Sequence, residues 1–196
     1  MSKNNHALSY QKAISDFETF LKSQNPSDIF AKSTSQDFTL QNKQNFNQDS
    51  LPADSLRFCL PDFHPHFLRA FWEMLLNGGK RFRPNLLLAI VDGLNPMLNK
   101  NAFLPALALE CLHTYSLIHD DLPSMDNASL RRGNPTLHTT YDETTAILVG
   151  DGLNTYAFYL LSNCVLAPSV VVALIRELAQ NGGLSGMIIG QALDCH

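Results

Sequence analysis

The sequence lacks both a long hydrophobic run and an excess of positive charge. No apolar stretch approaches the ~20 residues that a membrane-spanning helix needs. The N-terminal stretch MSKNNHALSY also lacks the apolar region of a signal peptide. The net charge of −4 argues against a general nucleic-acid-binding protein. We therefore expect a cytoplasmic protein that neither inserts stably into a membrane nor binds nucleic acid.

The sequence is also poor in cysteine. Its four cysteines, Cys59, Cys111, Cys164 and Cys195, are scattered, and no two have CxxC spacing. Two of them lie in apolar helical runs. This pattern predicts reduced and mostly buried thiols in a cytosolic protein.

Alternation of polar and apolar residues, the signal of a half-buried strand, is absent over any useful length, and no segment repeats. Apolar residues instead recur at helical spacing, so the sequence predicts an all-α protein. With 196 residues, 45% of them apolar, the chain can build one sizeable core. The predicted helices cover residues 7–22, 64–77, 101–119 and 139–162, and others begin at Pro84, at Pro168 and within 186–194.

Composition divides the chain into three regions. Residues 1–22 contain the first amphipathic helix. Residues 23–50 are rich in Asn, Gln, Ser, Asp and Lys, which predicts a mobile polar insert or, alternatively, a single helix on the surface. Residues 51–196 carry the motifs described below and form the main domain.

The charged residues that attract most attention follow the apolar helix 101–119. Three acids, Asp120, Asp121 and Asp126, are followed by Arg131 and Arg132. Clustered carboxylates beside clustered cations are costly unless a ligand lies between them. A divalent cation held by the acids and bound to a phosphate held by the arginines would satisfy both groups. The sequence therefore predicts half of a magnesium–diphosphate site.

Pro123 decides whether these acids can act together. In an unbroken helix Asp120 and Asp126 are six residues apart and point away from each other. Pro123 clashes with the carbonyl group four residues earlier and opens the helix. A widened turn over residues 122–125 would then bring Asp126 back towards Asp120.

A second group of cations, Lys80, Arg81 and Arg83, stands just before Pro84. Proline suits the first position of a helix, and helix N-termini attract anions. These side chains are therefore candidate diphosphate ligands. The alternative is a basic helix cap at the surface.

Four polar residues in apolar segments remain to be interpreted. His113 shares a predicted helix face with Asp120, so it is either a ligand or a core histidine with a hydrogen-bond partner. Asp151, between two glycines, indicates close helix packing around a satisfied buried acid. Gln191 and Asp194 share one face of the last helix, which favours a cavity wall over a surface.

Four stretches combine these residues in one order: GGKRFRP (78–84), DDLPSMD (120–126), RRGNPT (131–136) and GMIIGQALD (186–194). Over roughly residues 51–196 the chain resembles the trans-polyprenyl diphosphate synthases, above all the bacterial farnesyl diphosphate synthases. The resemblance implies an antiparallel helix bundle around a deep central cavity. It also implies a prenyltransferase that condenses an allylic diphosphate, dimethylallyl or geranyl, with isopentenyl diphosphate in isoprenoid biosynthesis.

The resemblance assigns a role to each charged motif. Asp120, Asp121 and Asp126 hold Mg²⁺, with Mn²⁺ as an alternative ion and with Asp120 and Asp126 as the most direct ligands. Arg131 contacts the allylic diphosphate and completes the catalytic group. The other substrate contacts implied are Lys80, Arg83, His113 and Arg132 to isopentenyl diphosphate, and Gln191 and Asp194 near the allylic site.

Product length follows from the shape of the tunnel. In the family, bulky residues about one turn before the first aspartate close the tunnel floor. Tyr115, five residues before Asp120, and its neighbour Ser116 resemble the type that makes a fifteen-carbon farnesyl product. A longer, geranylgeranyl product is the alternative.

The sequence departs from the family in one important respect. Family members carry a second aspartate-rich motif downstream, and this sequence ends before it. We therefore expect the N-terminal part of a longer, homodimeric enzyme, with a non-catalytic diphosphate-binding fragment or regulatory subunit as the alternative. A metal phosphohydrolase built around His119 and Asp120 is disfavoured because the histidines are dispersed. A purely structural helical domain would leave both charge clusters unexplained.

Overall fold

The computed structural model describes residues 3–24, 65–76 and 79–195, which are mainly helical. The predicted all-α class is therefore confirmed. Most of the predicted insert 23–50 lies outside the described residues, as do Cys59 and Gly78. The helices are α1 (Lys3–Ser23), α2 (Pro65–Leu76), α3 (Phe82–Leu94), α4 (Phe103–Asp120), α5 (Leu137–Thr140), α6 (Glu143–Ser162), α7 (Pro168–Gly182) and α8 (Met187–Asp194).

Helix α4 lies at the centre of the molecule. Eleven of its 18 residues are buried, as its nearly uniform apolar composition predicts. Leu107 and Cys111 are fully buried among them. Each leucine buried in this way contributes roughly 1.5–3 kcal/mol to stability. The helix that carries the acids at its C-terminal end is therefore held firmly by the core.

Helices α4 and α6 pack antiparallel along their whole length. Near the C-terminal end of α4, His119 Nε2 lies 3.1 Å from the carbonyl oxygen of Ile147. At the opposite end, Asn101 Nδ2 donates to the carbonyl oxygen of Val165 at 3.1 Å. Gly150 permits the close approach, because a Cβ atom there would stand 2.1 Å from His119 Nε2. The predicted close packing is confirmed, but Asp151 is 64% exposed, so the prediction of a buried acid was wrong.

The flanking helices pack on this central pair through aromatic residues. Phe71 and Trp72 of α2 make edge contacts with the ring of Tyr156 on α6, at centroid distances of 5.7 and 6.4 Å. On another side of α4, Phe17 of α1 contacts Phe103 edge-on at 5.9 Å. Such pairs are favourable beyond their buried area. They fix α1 and α2 beside the helix that leads to the acids.

Two predicted helix boundaries need correction. Helix α3 begins at Phe82, two residues before Pro84, whose missing N–H is still tolerated in the first turn. The single helix predicted over 139–162 is two helices, α5 and α6. The break occurs because Asp142 is extended and caps α6, with its carboxylate accepting from the backbone N–H of Thr145 at 2.6 Å.

The segment 131–138, predicted as a loop, contains a minimal hairpin. Strand β1 (Leu130–Arg131) pairs antiparallel with β2 (Asn134–Pro135). Arg132 and Gly133 form the two-residue turn, with φ angles of 54° and 83°. Positive φ at both positions is the geometry that matches the twist of a tight hairpin. Period-2 alternation cannot reveal strands of two residues.

No helix in the described part of the chain is long and apolar enough to cross a membrane. Two of the cysteines there, Cys111 and Cys164, are buried free thiols, and Cys195 is an exposed one. Burial raises the pKa of both buried thiols. The prediction of mostly buried, unpaired cysteines is therefore confirmed for the described residues.

Candidate active site

The chain turns back on itself directly after α4, at the acidic motif. The backbone N–H of Asp126 donates to the carbonyl oxygen of Asp120 at 3.0 Å, a hydrogen bond that spans six residues. A regular α-helix bonds each N–H to the carbonyl four residues earlier. Pro123 stands inside this widened turn and cannot continue the helix. The predicted return of Asp126 towards Asp120 is thus present.

The surroundings of Asp120 in this turn disfavour the ionised form of its carboxyl group. Burial raises the pKa of its carboxyl group, and the negative charge of Asp126 raises it further. The Gln191 side-chain amide donates a hydrogen bond to Asp120 Oδ1 and partly offsets both effects. Two carboxylates that repel each other at one turn form a favourable place for a divalent cation.

Asp121 is turned away from this pair. Its side chain is only 2% exposed, and Arg131 Nε donates to both of its oxygens at 2.8 Å. Arg131 Nη2 lies 2.7 Å from Asp121 Oδ1 as well. Among the described residues no group of three or more His, Cys, Asp or Glu side chains could hold a metal ion together. The expected three-acid group is therefore two acids, Asp120 and Asp126, beside a separate ion pair.

Arg131 joins the two parts of the motif. Besides its bonds to Asp121, its Nη2 atom lies 3.6 Å from Asp120 Oδ2. The hydrogen bonds to Asp121 hold the pKa of the guanidinium above its usual value. The arginine is therefore a fixed positive charge next to the paired acids.

The three cations of the basic segment before α3 also differ in their surroundings. Arg81 is buried, although the sequence indicated three mobile cations there. Its Nη1 atom donates to Glu110 Oε1 on α4 at 2.9 Å, Nη2 donates to the carbonyl oxygen of Leu75, and Nε lies 3.6 Å from Glu18 on α1. Arg81 is thus a structural anchor whose guanidinium nitrogens all contact protein groups, and it also lines the cavity described below.

Lys80 and Arg83, on either side of this anchor, are exposed. Arg83 is close enough to His113 for its charge to lower the histidine's pKa. Across the site, Arg132 Nη1 lies 2.6 Å from the point where a Cβ atom of Gly79 would stand. The two cationic segments, 79–83 and 131–132, therefore meet although they are 50 residues apart in sequence.

A cavity of about 460 Å³ lies between these segments, α2 and α4. His113 lines it, and burial, followed by the charge of Arg83, lowers the pKa of its imidazole. The histidine is therefore a neutral hydrogen-bonding group at pH 7. Its lining combines apolar side chains, such as Met74, Leu117 and Leu137, with charges of both signs: Arg81, Arg131 and Arg132 against Glu73 and Glu110.

The other residues predicted for the site lie near the acidic motif or on the same helix as His113. The Tyr115 ring packs edge-on against His119 at 5.2 Å, and Tyr115 does not line the described cavity. Ser116 Oγ donates to the carbonyl oxygen of His113 at 2.8 Å, within its own helix. Gln191 reaches Asp120, whereas Asp194 is exposed in the described structure. Gln191 thus contacts the acidic motif, but neither Gln191 nor Asp194 lines the described cavity.

Sequence reasoning missed two pairs beside the cavity. One is Arg81 with Glu110. The other is Tyr141, whose hydroxyl donates to Glu73 Oε2 on α2; burial, followed by this bond, raises the pKa of Tyr141 to about 12. Glu110 offered a signal, since a lone acid in an apolar helix is rarely buried without a partner. Glu73 offered none.

Comparison with known proteins agrees with this geometry. The model of the polyprenyl synthetase family matches residues 64–196. The chain belongs to the polyprenyl synthetase family. It is 54% identical over 121 residues to the farnesyl diphosphate synthase of Geobacillus stearothermophilus, a match that covers 60% of this chain and 40% of that protein. It is 45% identical over 133 residues to the chloroplastic geranylgeranyl pyrophosphate synthase of Capsicum annuum, covering 66% and 36%.

A solved structure of a similar protein has the same fold. The geranyltransferase of Helicobacter pylori, complexed with magnesium and isoprenyl diphosphate, is 46% identical and superposes with a TM-score of 0.74. The match covers 100% of this chain and 55% of that one. The chain therefore spans about half or less of the length of these relatives.

The residues of this family member fit a divalent cation. Mg²⁺ takes oxygen ligands, keeps several waters and is commonly held by one or two carboxylates together with substrate phosphates. Asp120 and Asp126 supply two such carboxylates, and burial, followed by the charge of Asp126, raises the pKa of Asp120. The turn over residues 120–126 contains no Cys or His, and its one sulfur atom belongs to Met125.

Proposed function

We propose that the protein is a Mg²⁺-dependent prenyltransferase that joins an allylic diphosphate to isopentenyl diphosphate and forms farnesyl diphosphate. One observation carries the proposal. The hydrogen bond from Asp126 to Asp120 closes the turn and keeps two carboxylates beside Arg131, which lines a cavity together with Arg132. Anionic metal ligands next to cationic phosphate ligands are what a metal–diphosphate substrate requires.

The residues suit the chemistry of this reaction. The allylic C–O bond breaks, the diphosphate leaves with the bonding electrons, and the double bond of isopentenyl diphosphate attacks the carbocation before a proton is lost. Bound Mg²⁺ would neutralise charge that develops on the leaving diphosphate. Arg131 would donate to the same group from a fixed position, which lowers the barrier without reorganisation.

The second diphosphate would occupy the cavity. Arg132 lines it directly, and Lys80 and Arg83 stand beside it. Neutral His113 would act as a hydrogen-bond donor there. The apolar side chains in the wall would exclude water, which would otherwise trap the carbocation as an alcohol.

Three further features belong to the proposal. The relatives include farnesyl and geranylgeranyl synthases, so product length is open to measurement, and Tyr115 with Ser116 favours fifteen carbons. Mn²⁺ would replace Mg²⁺, because both prefer oxygen ligands. We expect a homodimer in the cytoplasm, with Asp194 placed near the allylic site in the complete protein.

A condensation assay tests the proposal. The protein is expressed from its complete reading frame and incubated with Mg²⁺, geranyl diphosphate and radiolabelled isopentenyl diphosphate. We expect a labelled fifteen-carbon diphosphate that disappears with a chelator and in an Asp120→Asn variant. An Asp151→Asn variant, altered at an exposed acid outside the site, is the matched control. Binding of Mg²⁺ and diphosphate without any product would instead identify a non-catalytic diphosphate-binding protein.

A further inference from the structure

The two adjacent acids of the motif have opposite surroundings. Asp121 is 2% exposed at its side chain, and the Asp120 side chain is 25% exposed. Arg131 approaches Asp121 with three contacts of 2.7–2.8 Å and approaches Asp120 with one of 3.6 Å. We infer that Asp121 is a positioning residue for Arg131, which leaves the metal to Asp120 and Asp126, the direct ligands that the resemblance implies. This inference rests on the proposed function, in which Arg131 holds a diphosphate.

The contacts that Asp121 already makes support this division. Both of its carboxylate oxygens accept hydrogen bonds from Arg131 Nε, and Oδ1 also lies 2.7 Å from Nη2. An ion bound about 2.0–2.1 Å from either oxygen would stand next to a guanidinium of the same charge sign. Burial also leaves no space around Asp121 for the waters that Mg²⁺ keeps. Both obstacles are weaker at Asp120, whose side chain is 25% exposed and whose Oδ2 lies 3.6 Å from Arg131 Nη2.

The backbone around the pair is fixed independently of any ligand. The N–H of Ala128 donates to the carbonyl oxygen of Asp121 at 3.2 Å, and Thr136 Oγ1 donates to the carbonyl oxygen of Ala128 at 2.8 Å. Thr136 is fully buried. These bonds tie the hairpin that carries Arg131 to the end of α4, so the arginine and its acid partner meet in one geometry.

The pairing leaves part of Arg131 available. Nε and Nη2 are engaged with Asp121, and Nη1 makes no hydrogen bond within the described residues. Arg131 also lines the cavity. A planar guanidinium that is held by hydrogen bonds along one edge presents its other edge in a fixed orientation. Asp121 would therefore increase affinity for a diphosphate without contacting it.

Two titrations separate a positioning residue from a metal ligand. Binding of Mn²⁺ alone is followed by paramagnetic broadening of backbone amide signals, and binding of inorganic pyrophosphate with Mg²⁺ is followed by calorimetry. We expect Asp121→Asn to lower pyrophosphate affinity about 10- to 100-fold, the usual effect of losing an outer-shell partner. The same variant should leave Mn²⁺ affinity within about twofold, whereas Asp126→Asn should abolish Mn²⁺ binding.

A double-mutant cycle tests whether Asp121 acts through Arg131. In an Arg131→Gln background the Asp121→Asn change should cause no further loss of pyrophosphate affinity. Asp121→Glu, which keeps a carboxylate and so does not leave a buried cation alone, provides a second variant if Asp121→Asn fails to fold. It should lower pyrophosphate affinity and leave Mn²⁺ binding unchanged. Additive losses, or loss of Mn²⁺ binding in either variant, would overturn the inference.

One readout is independent of the proposed function. The Arg131 Nε–H proton, bonded to both Asp121 oxygens, should give a slowly exchanging NMR signal that is absent in Asp121→Asn and present in Asp151→Asn. Loss of this signal supports the pair even if the wild-type protein binds neither probe, a result that would refute only the proposed function. An unchanged signal in Asp121→Asn would refute the pair itself.

Discussion

Arg81 donates to Glu110 at 2.9 Å, and both side chains are buried. This pair joins the basic segment before α3 to the central helix α4. Removing one partner of a buried ion pair leaves an uncompensated charge, whereas replacing both by apolar residues is often tolerated. The neighbouring Arg83 is exposed, so a substitution of Arg83 is the control for a substitution of Arg81.

We predict that Arg81→Met lowers the free energy of unfolding by about 3–5 kcal/mol. The double variant Arg81→Met, Glu110→Met should recover most of that loss, and Arg83→Met should change it by no more than about 0.5 kcal/mol. Urea unfolding followed by circular dichroism measures all three. Equal effects of the Arg81 and Arg83 substitutions would show that the pair does not anchor the segment.

A second prediction concerns the contact between the two cationic segments. Gly79 has φ of 123°, and a Cβ atom there would collide with Arg132 Nη1. Gly79→Ala should therefore displace Arg132 and strain the backbone. We expect pyrophosphate affinity to fall about tenfold or more, and a tenfold loss corresponds to about 1.4 kcal/mol of binding free energy. Gly93→Ala is the control, because nothing lies within 4 Å of its Cβ position. Calorimetric titration that finds equal affinities in both variants would separate Arg132 from the diphosphate site.

The lowered pKa of His113 predicts a pH dependence of stability. Burial, followed by the charge of Arg83, lowers its pKa from the ordinary 6.5, so between the folded and unfolded pKa values the unfolded chain binds more protons. The free energy of unfolding should therefore fall as the pH drops through that interval, and His113→Gln should remove this slope. NMR titration of the imidazole gives the folded pKa directly. A value above 6.5 would reverse the predicted slope and contradict the account.

A fourth prediction concerns product length. Tyr115→Ala should lengthen the product beyond fifteen carbons, because it removes a bulky ring one to two turns before Asp120. Chromatography of the labelled products measures this change. Tyr10→Ala, which truncates a tyrosine on the remote helix α1, should leave the chain length unchanged. An unaltered product in the Tyr115 variant would exclude it from the tunnel floor.

The features that sequence predicted well are those with local causes. Pro123 opens the helix wherever it stands in one, so the return of Asp126 to Asp120 was predictable from residues 120–126 alone. Helix α4 was equally clear, because its apolar residues surround the whole helix. The resemblance to the family added the roles of the motifs, which spacing alone does not supply.

The features that sequence missed depend on distant partners. Asp120 and Asp121 look alike in sequence, but adjacent helical residues project about 100° apart, and only Arg131, ten residues later, shows which of them is buried in an ion pair. Arg81 likewise looks like its neighbours Lys80 and Arg83 until Glu110, 29 residues away, is placed beside it. Which of several like-charged residues is buried in an ion pair, and which is available to a ligand, therefore depends on the tertiary structure.

The most direct test of the account is a crystal structure of the protein grown with Mn²⁺ and pyrophosphate, with anomalous scattering used to locate the metal. The account predicts an anomalous peak about 2.0–2.2 Å from carboxylate oxygens of both Asp120 and Asp126, with pyrophosphate oxygen as a further ligand and Arg131 still bonded to Asp121. A peak coordinated by Asp121, or Asp120 and Asp126 without metal while pyrophosphate is bound, would contradict it.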